Sequence, residues 1–212
     1  MCNGPSLARM ELGFLREETT LATNKIYLGL EKFRFYPNYY VAVNRKVICQ
    51  SADEIKRLNC AKFIPSHSAE EVDPSPLNYY IETEHPEGPF CTDLANQSIN
   101  EGFTVTSVCL QIAYYLGFGE IVIIGMDHRY QYSGRPNQDL IMETKDPNHF
   151  DPNYFAPGES WDAPDLAQSE IFYQAARAAF EAAGRKIIDA TVNGACTVFE
   201  KNDYRAIFLS RA

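Results

Sequence analysis

The segment Glu120–Gly125 (EIVIIG) limits the folds open to this chain more than any other part of its sequence. An uninterrupted Ile/Val run is what a central parallel strand requires when other elements cover both of its faces. Directly before this run, Phe103–Leu116 carries apolar residues at helical spacing and is followed by Gly117, a typical helix terminator. A buried helix followed by a buried strand predicts stacked βα units.

The same alternation of short apolar runs and helical patterns extends along the chain. Further strands are predicted at Thr20–Thr23, Tyr39–Val43, Ala61–Ile64 and Lys186–Asp189. Further helices are predicted over residues 25–33, over Ser51–Leu58 and over Ala163–Ala183, where Ser51 and Glu54 stand at the spacing of a capping box. We therefore expect one α/β domain over residues 1–212, built on an open, mostly parallel, Rossmann-like sheet flanked by helices.

Residues 127–165 do not fit this alternation. The stretch contains five prolines and many aromatic residues. A loop of this length inside a compact domain is usually functional or disordered, and its aromatic content argues against disorder. We therefore expect residues 127–165 to form a lid over a ligand. A second proline-rich stretch, residues 65–101, is expected to contain an edge strand at Tyr79–Glu82.

Composition excludes several classes of function. The chain has 19 Lys and Arg residues against 28 Asp and Glu residues, a net charge of −9, and no basic cluster, so a nucleic-acid groove is not expected. No apolar run approaches the roughly 20 residues of a membrane-spanning helix, and the first ten residues lack the apolar core of a secretory signal. The six scattered cysteines predict reduced thiols in the cytoplasm. The sequence is compatible with a monomer and with a homo-oligomer.

Polar residues follow the predicted strands at the points where the strands end. Asn24 and Asn44 follow the first two strands, Asp127 follows Glu120–Gly125, and Asn193 follows the last strand. Ligands of open α/β sheets bind at the carboxyl ends of the strands. Each residue alone is explained as an ordinary turn or cap residue, but together they predict a shared crevice.

Two further segments are candidates for anion binding. The first is the turn formed by Asn3, Gly4, Pro5 and Ser6, where glycine permits close backbone approach and the serine hydroxyl can cap a helix or donate to a phosphate. The second is the beginning of the 103–116 helix, with Thr104, Thr106 and Ser107. Anion binding and simple capping explain those residues equally well.

His149 is the best candidate for a general base, because it lies in the aromatic stretch and its ordinary pKa is close to neutrality. His128 is the second candidate, and His67 and His85 are weaker ones. Asp127 and Asp189 stand at strand ends, where carboxylates could hold Mg²⁺, although Asp189 could equally be a structural cap.

Several motifs taken together resemble one family. They are NGPSL, TNKIYL, YYVAVN, TVTSVCLQIAYYLGFGEIVIIGMDHRY, HFDPNYF and GRKIIDATVNG. They are similar to the bacterial 6-hydroxymethylpterin diphosphokinase-like domain, which also occurs in flagellin glycosyltransferases of the motility-associated-factor type. That domain is similar in fold and motifs to the sialyltransferases of glycosyltransferase family 42. The resemblance covers nearly the whole chain and is strongest over residues 104–130.

The resemblance implies a site for a CMP-sugar. The residues implied for binding the nucleotide are Asn3, Gly4, Pro5, Ser6, Asn24, Asn44, Thr106, Ser107 and Gly125. Asp127 matches the turn after the strand, and Tyr130 is the nearest match to the tyrosines that contact the leaving phosphate. Asn153 stands where the family has its base, so the catalytic role is assigned to His149 because of its proximity.

The chain departs from the family pattern at two other places. Val108 replaces a glycine of the sialyltransferases. The family also has an apolar strand before NGPSL, whereas Met1 and Cys2 alone precede the motif here. We therefore expect a first, central strand to be missing before residue 3 and two strand edges to be left unpaired.

Three functions are considered, of which the first is the one that the resemblance favours and the other two are alternatives. The first is inverting transfer of a nonulosonic acid, such as sialic acid, from a CMP-sugar to a glycan acceptor in surface-glycan synthesis, with no obligatory cofactor. The second is transfer of diphosphate from ATP to 6-hydroxymethyl-dihydropterin, which requires Mg²⁺. The third is a catalytically inactive module that binds a nucleotide or a sugar.

Overall fold

The computed structural model of the protein describes residues 1–84 and 88–209, and they form an α/β fold with parallel sheets flanked by helices. The strands are β1 (Leu21–Thr23), β2 (Tyr39–Val41), β3 (Ala61–Pro65), β4 (Asn78–Ile81), β5 (Thr83–Glu84), β6 (Ile99–Asn100), β7 (Glu120–Ile123), β8 (Asp139–Ile141), β9 (Ser160–Asp162), β10 (Lys186–Asp189) and β11 (Glu200–Lys201). The α-helices are α1 (Leu30–Phe33), α2 (Arg45–Gln50), α3 (Ala52–Arg57), α4 (Val105–Tyr115) and α5 (Leu166–Ala182). Short 3-10 turns cover Pro5–Arg9, Gly13–Glu17, Asn24–Gly29 and Ser66–Glu71, and a π-helical turn covers Arg205–Leu209.

The first sheet contains β1, β2, β3 and β4 in that order, and all its strands are parallel. Leu21 pairs with Tyr39, and Tyr39 pairs with Ala61. The three strands predicted in this half of the chain are therefore confirmed to within two residues. The edge strand expected at Tyr79–Glu82 is confirmed as β4.

The second sheet contains β11, β10 and β7, again parallel, with β10 in the middle. The expectation that Glu120–Gly125 forms a central strand is wrong in one respect. β7 pairs with β10 on one side only, and Ile121 and Val122 remain partly exposed. The apolar run was correctly predicted to be a parallel strand. Its position in the sheet depends on which strands pair with it, and the local sequence does not show that.

Residues 1–4 lie between the two sheets. The amino group of Met1 donates to the Leu21 carbonyl of β1 (2.8 Å). On the other side, Cys2 N–H donates to the Ile124 carbonyl (2.9 Å) and Gly4 N–H to the Gly125 carbonyl (2.8 Å), both just beyond β7. These residues therefore run beside β1 and join its sheet to the segment that follows β7. The family resemblance predicted the end of a central strand at this place.

The two long helices pack against each other, α5 beside β10 of the second sheet and α4 against β1 and β2 of the first. The Thr104 hydroxyl caps α4 by accepting the N–H of Thr106, and Asp165 caps α5 by accepting the N–H of Gln168. Gly117 and Gly184 follow the helix ends with positive φ, as their sequence positions predicted. No helix within the described ranges has both the length and the apolar character needed to cross a bilayer.

Two helix predictions need correction. Ser51 makes no side-chain cap to α3, because its Oγ accepts the hydroxyl of Tyr27 (2.8 Å) instead. A separate helix, α2, precedes α3 and is capped by Asn44. The helix predicted after β1 is mostly a 3-10 stretch over Asn24–Gly29, and α1 adds only four residues to it.

The 127–165 segment is built into the main core. Strands β8 and β9 pair antiparallel within it, with Leu140 opposite Trp161. Its aromatic residues Phe150, Tyr154 and Phe155 are buried in the cluster that also contains Ile48 of α2. In this structure the segment that was expected to form a lid is therefore packed into the core of the protein.

Candidate functional site

A cavity of about 520 Å³ opens beyond the carboxyl ends of β1, β2 and β7. One side of it is formed by residues 2–4 and by the beginning of α4, and another by the 127–165 segment. This is the edge where an open α/β sheet binds its ligand. The cavity is large enough for a nucleotide-sized molecule.

Nine of the twelve residues predicted for the site line this cavity. They are Asn3, Gly4, Asn24, Asn44, Thr106, Gly125, Asp127, Tyr130 and His149. Pro5, Ser6 and Ser107 do not line it. Ser6 and Ser107 are fully buried beside the cavity, so in this conformation their hydroxyls do not face a ligand.

The turn after Asn3 is fastened to Asp127. The Ser6 hydroxyl donates to Asp127 Oδ2 (2.6 Å), and the Ser6 N–H donates to both carboxylate oxygens (3.1 and 3.2 Å). Gly4 allows this approach, because a Cβ at that position would lie 2.1 Å from Asp127 Oδ2 and 2.7 Å from the Gly125 carbonyl. Asp127 and Ser6 therefore position the turn, although the resemblance implied that Ser6 contacts the nucleotide itself.

Two amide oxygens in the cavity wall have no hydrogen-bond partner. The Asn3 amide nitrogen donates to the carbonyl and the hydroxyl of Thr23 (3.0 and 2.9 Å), which fixes the orientation of the amide and leaves Oδ1 buried and unpaired. Asn24 has a left-handed backbone (φ 49°), and its Oδ1 is likewise buried and unpaired. An unpaired buried acceptor is costly, and a ligand that supplies N–H or O–H groups would pair these two oxygens.

Tyr154 connects Asn24 to the base candidate. Burial raises the pKa of the Tyr154 phenol, while hydrogen bonds from the Lys25 N–H and from the Asn24 side chain oppose that increase. The ring of Tyr154 stacks on the imidazole of His149 with centroids 3.8 Å apart and planes at 3°. The nucleotide-binding candidate and the base candidate are therefore held by the same aromatic side chain.

His149 is oriented by a carboxylate that sequence reasoning did not assign a role. Its Nδ1 lies 2.7 Å from Oδ2 of Asp146, whose side chain is completely buried. An ionised carboxylate can only accept, so Nδ1 carries the proton and Nε2 is left as a basic nitrogen. Nε2 makes no hydrogen bond to the described part of the protein. The spacing of three residues in DPNH was the signal that could have identified Asp146.

Tyr130 meets His149 edge to face, with ring centroids 6.1 Å apart. The residue is 36% exposed, yet burial of its phenol by the surrounding protein raises the pKa of that group. The hydroxyl therefore keeps its proton at neutral pH and can donate a hydrogen bond. Asn153, which stands at the family's base position, is exposed and does not line the cavity.

Other predicted residues have structural partners. Asn44 lines the cavity, but it accepts the N–H of Val47 (3.2 Å) and donates to Asp162 Oδ2 (2.9 Å). At the beginning of α4, Thr104 acts as a cap and the Thr106 hydroxyl lies 3.3 Å from Cys2 Sγ. Capping therefore accounts for Thr104, while the amide of Asn44 supports α2 and β9.

The remaining histidines are placed differently. His128 lines the cavity and pairs with Glu170 (Nε2 to Oε1, 2.9 Å). His67 is exposed and does not itself line the cavity; it contacts Ser68 and Glu101, and Glu101 belongs to the cavity wall. His85 lies outside the described residues.

The carboxylates proposed for Mg²⁺ do not fit a metal site. Asp127 is engaged by Ser6, while Asp189 is buried, pairs with the Lys201 ammonium and accepts the Thr191 N–H (2.9 Å). Asp189 does not line the cavity. Over residues 1–84 and 88–209, no three His, Cys, Asp or Glu side chains are grouped so that they could hold a metal ion.

Comparison with known proteins gives one match. A family model described as 6-hydroxymethylpterin diphosphokinase MptE-like matches residues 1–133. No curated protein and no solved structure matches the chain. The matched region contains the Asn3–Ser6 turn, Asn24, Asp127 and Tyr130, and it ends before His149, so the assignment of the base depends on the geometry described above.

Proposed function

The chain belongs to the 6-hydroxymethylpterin diphosphokinase MptE-like family, and on this premise we propose that its cavity is the active site of a glycosyltransferase-like enzyme. The donor is a CMP-sugar carrying a nonulosonic acid such as sialic acid. The acceptor is a hydroxyl of a glycan in surface-glycan synthesis. The same proposal places the reaction in the cytoplasm.

One observation carries this proposal. His149, oriented by a buried carboxylate and free at Nε2, stands in the same cavity as the unpaired amide oxygens of Asn3 and Asn24. A base with one free nitrogen suits proton removal from an acceptor hydroxyl. Unpaired amide oxygens suit the exocyclic amino group of a base or the hydroxyls of a ribose. In this proposal His149 serves catalysis and the two amide oxygens serve nucleotide recognition, and all of these groups lie in the same cavity.

The mechanism is a direct displacement with inversion. His149 Nε2 takes the proton of the acceptor hydroxyl, and the acceptor oxygen forms a bond to the anomeric carbon of the sugar. The bond from that carbon to the CMP phosphate oxygen breaks, and CMP leaves with the bonding electrons. Asp146 stabilises the imidazolium that forms. The Tyr130 hydroxyl donates to the departing phosphate and stabilises its charge.

The nucleotide preference is tested by binding. Trp161, the only tryptophan of the chain, lies in the cavity wall, so its emission reports an occupant. We expect CMP to change this emission and to raise the melting temperature, and UDP and GDP to have much smaller effects. Absence of any response to CMP would contradict the proposed donor.

The base is tested by His149→Gln, with His67→Gln as the matched control at an exposed histidine outside the cavity. His149→Gln should lower the rate of CMP release from a CMP-sugar in the presence of acceptor by roughly 10²- to 10⁴-fold, because general-base assistance is lost. CMP affinity should change little in either variant. Full turnover in His149→Gln would remove this histidine from the mechanism.

Diphosphate transfer from ATP to 6-hydroxymethyl-dihydropterin is the second candidate, because the family description names that activity. It predicts a response to ATP with Mg²⁺ and formation of AMP. The described residues do not fit a protein-built Mg²⁺ site, so we derive no step through the metal. Formation of AMP with the pterin, and no formation of CMP, would favour this candidate. Binding without turnover of either donor would identify a catalytically inactive module.

A further inference from the structure

Arg129 is an unpaired cation in the wall of the cavity. Among the residues that the structure describes, it alone of the lysines and arginines lines this space, and its guanidinium has no hydrogen-bond or ion-pair partner. The carboxylates lining the cavity have other partners. Asp127 accepts from Ser6, Asp162 from Lys46 and Asn44, and Glu101 faces His67 at 3.7 Å.

The backbone on both sides of Arg129 is held in place. His128 has a left-handed backbone (φ 54°), which is rare for a histidine, and its ring is bound to Glu170 (2.9 Å). Tyr130 on the other side contacts the ring of His149. An anchored residue before Arg129 and an aromatic contact after it fix the backbone that presents this exposed side chain at the cavity.

The chain carries a net charge of −9, and the carboxylates of the cavity wall leave the guanidinium of Arg129 without an ion pair. The beginning of α4, at Thr104 and Thr106, lies in the same wall and adds the positive end of a helix dipole. The unpaired Oδ1 of Asn3, a residue only 7% exposed, separately indicates that a ligand completes this cavity. The guanidinium of Arg129 suits an anionic group of a ligand, and the unpaired Oδ1 of Asn3 suits an N–H or O–H group of the same ligand.

We propose that Arg129 binds an oxyanion of the substrate, a phosphate or a carboxylate, and so restricts this site to acidic ligands. A guanidinium matches two oxygens of either group with two parallel N–H donors. The inference rests on the proposed function in that a CMP-linked acid carries both groups, the phosphate on the nucleotide and the carboxylate on the sugar.

The test compares Arg129→Gln and Arg129→Lys with the matched control Arg135→Gln, at an exposed arginine of the same segment that does not line the cavity. Binding is followed by Trp161 emission and by calorimetry. The probes are cytidine, CMP, CMP-N-acetylneuraminate, adenosine, ATP and inorganic pyrophosphate. Cytidine against CMP isolates the phosphate, and CMP against CMP-N-acetylneuraminate reports the contribution of the acidic sugar that carries the carboxylate.

We expect Arg129→Gln to weaken binding of CMP relative to cytidine, or of CMP-N-acetylneuraminate relative to CMP, by roughly 10- to 100-fold, and to leave the binding of the neutral nucleoside unchanged. Arg129→Lys should give an intermediate loss, because the charge remains but the two-donor geometry does not. Arg135→Gln should bind as the wild type does. A smaller CMP-to-cytidine affinity ratio in Arg129→Gln than in the wild type identifies the phosphate as the partner of Arg129. A smaller ratio of CMP-N-acetylneuraminate affinity to CMP affinity identifies the acidic sugar.

Failure of this inference and failure of the proposed function have different outcomes. If adenosine and ATP bind and cytidine and CMP do not, the CMP-sugar proposal fails, and the ATP-to-adenosine ratio then tests Arg129. If no nucleotide binds, pyrophosphate binding by wild type and by Arg129→Gln is the remaining comparison. Equal binding of every anion by wild type and Arg129→Gln, or no anion binding by the wild type, overturns the inference.

Discussion

The buried carboxylate of Asp146 accepts the Nδ1–H of His149 across 2.7 Å. The same carboxylate accepts the N–H of Asn148 (2.8 Å), so its orientation is fixed by the loop that carries the histidine. One short loop therefore contains the base, the group that selects its tautomer and the backbone that aligns both.

Asp146→Asn tests whether this contact supports catalysis. The amide can donate to Nδ1 and so favours the wrong tautomer, with the proton on Nε2. We expect kcat to fall by roughly 10²- to 10⁴-fold while KM changes little. The measurement is the pH profile of kcat, and the control is Asp151→Asn in the same loop. A profile identical to that of the wild type would contradict the positioning role.

Asn24→Gly tests the unpaired acceptors. Glycine adopts the left-handed backbone of Asn24 without strain, so the free energy of unfolding should change by less than about 1 kcal/mol. Loss of Oδ1 should weaken CMP binding by about tenfold. The control is Asn193→Gly, since Asn193 has φ 57° but lies outside the cavity wall. Equal affinities in the two variants would remove Asn24 from the binding site.

Gly125→Ala tests the close approach beneath the cavity. Gly125 has φ 73°, and a Cβ there would lie 2.7 Å from both the Cys2 carbonyl and Leu7 Cγ. We expect a loss of about 2–4 kcal/mol in the free energy of unfolding, measured by urea denaturation. Gly158→Ala is the control, because Gly158 has φ 92° with open space around it. It should lose only about 1–2 kcal/mol from backbone strain. Equal losses would show that packing against residues 2 and 7 contributes nothing.

Tyr40→Phe should leave the protein unchanged or make it more stable by up to about 1 kcal/mol. The Tyr40 hydroxyl is completely buried and has no hydrogen-bond partner among the described residues, so its removal abolishes a desolvation cost. Tyr27→Phe is the control, because the Tyr27 hydroxyl donates to Ser51, and it should lose about 0.5–1.5 kcal/mol. Thermal unfolding of both variants gives the comparison, and destabilisation by Tyr40→Phe would contradict it.

Stability should fall at alkaline pH because of buried thiols. Burial raises the pKa of Cys60 from 9.0 to about 11 and that of Cys109 from 9.0 to about 12. Above pH 9 the unfolded chain releases these protons and the folded chain keeps them, so the free energy of unfolding decreases between pH 9 and about 12. Below pH 9 the thiols contribute no pH dependence.

Cys109→Ala isolates this effect. It should reduce the slope of unfolding free energy against pH by roughly 1 kcal/mol per pH unit above pH 9. Cys49→Ala removes a thiol at the surface and should leave the slope as it is. Urea denaturation under reducing conditions at several pH values gives the slopes. Parallel curves for wild type and Cys109→Ala would contradict the explanation.

The fold was largely predictable because its parallel strands are local apolar runs. Tyr39–Val41 and Lys186–Asp189 stand where the pattern placed them. The errors concern polar contacts between distant residues. Ser51 had the sequence of a cap but faces Tyr27, and residues 2 and 4 hydrogen-bond the segment just beyond β7. Neither partner can be read from the neighbouring residues in the chain.

The candidate site was predictable in location and only partly in detail. Strand ends and family motifs identified Asn24 and Asp127, which line the cavity. They did not distinguish groups that face a ligand from groups engaged by the protein, such as Ser6 with Asp127. Asp146 was missed because an aspartate before a proline is an ordinary loop residue until its partner is known.

The cavity wall extends along the chain from Cys2 to Tyr173. Its parts meet only through contacts between residues far apart in sequence, which form late when a chain folds. A ligand that needs this assembled wall binds the native state, and at one hundred times its Kd it would add about 2.7 kcal/mol to the free energy of unfolding.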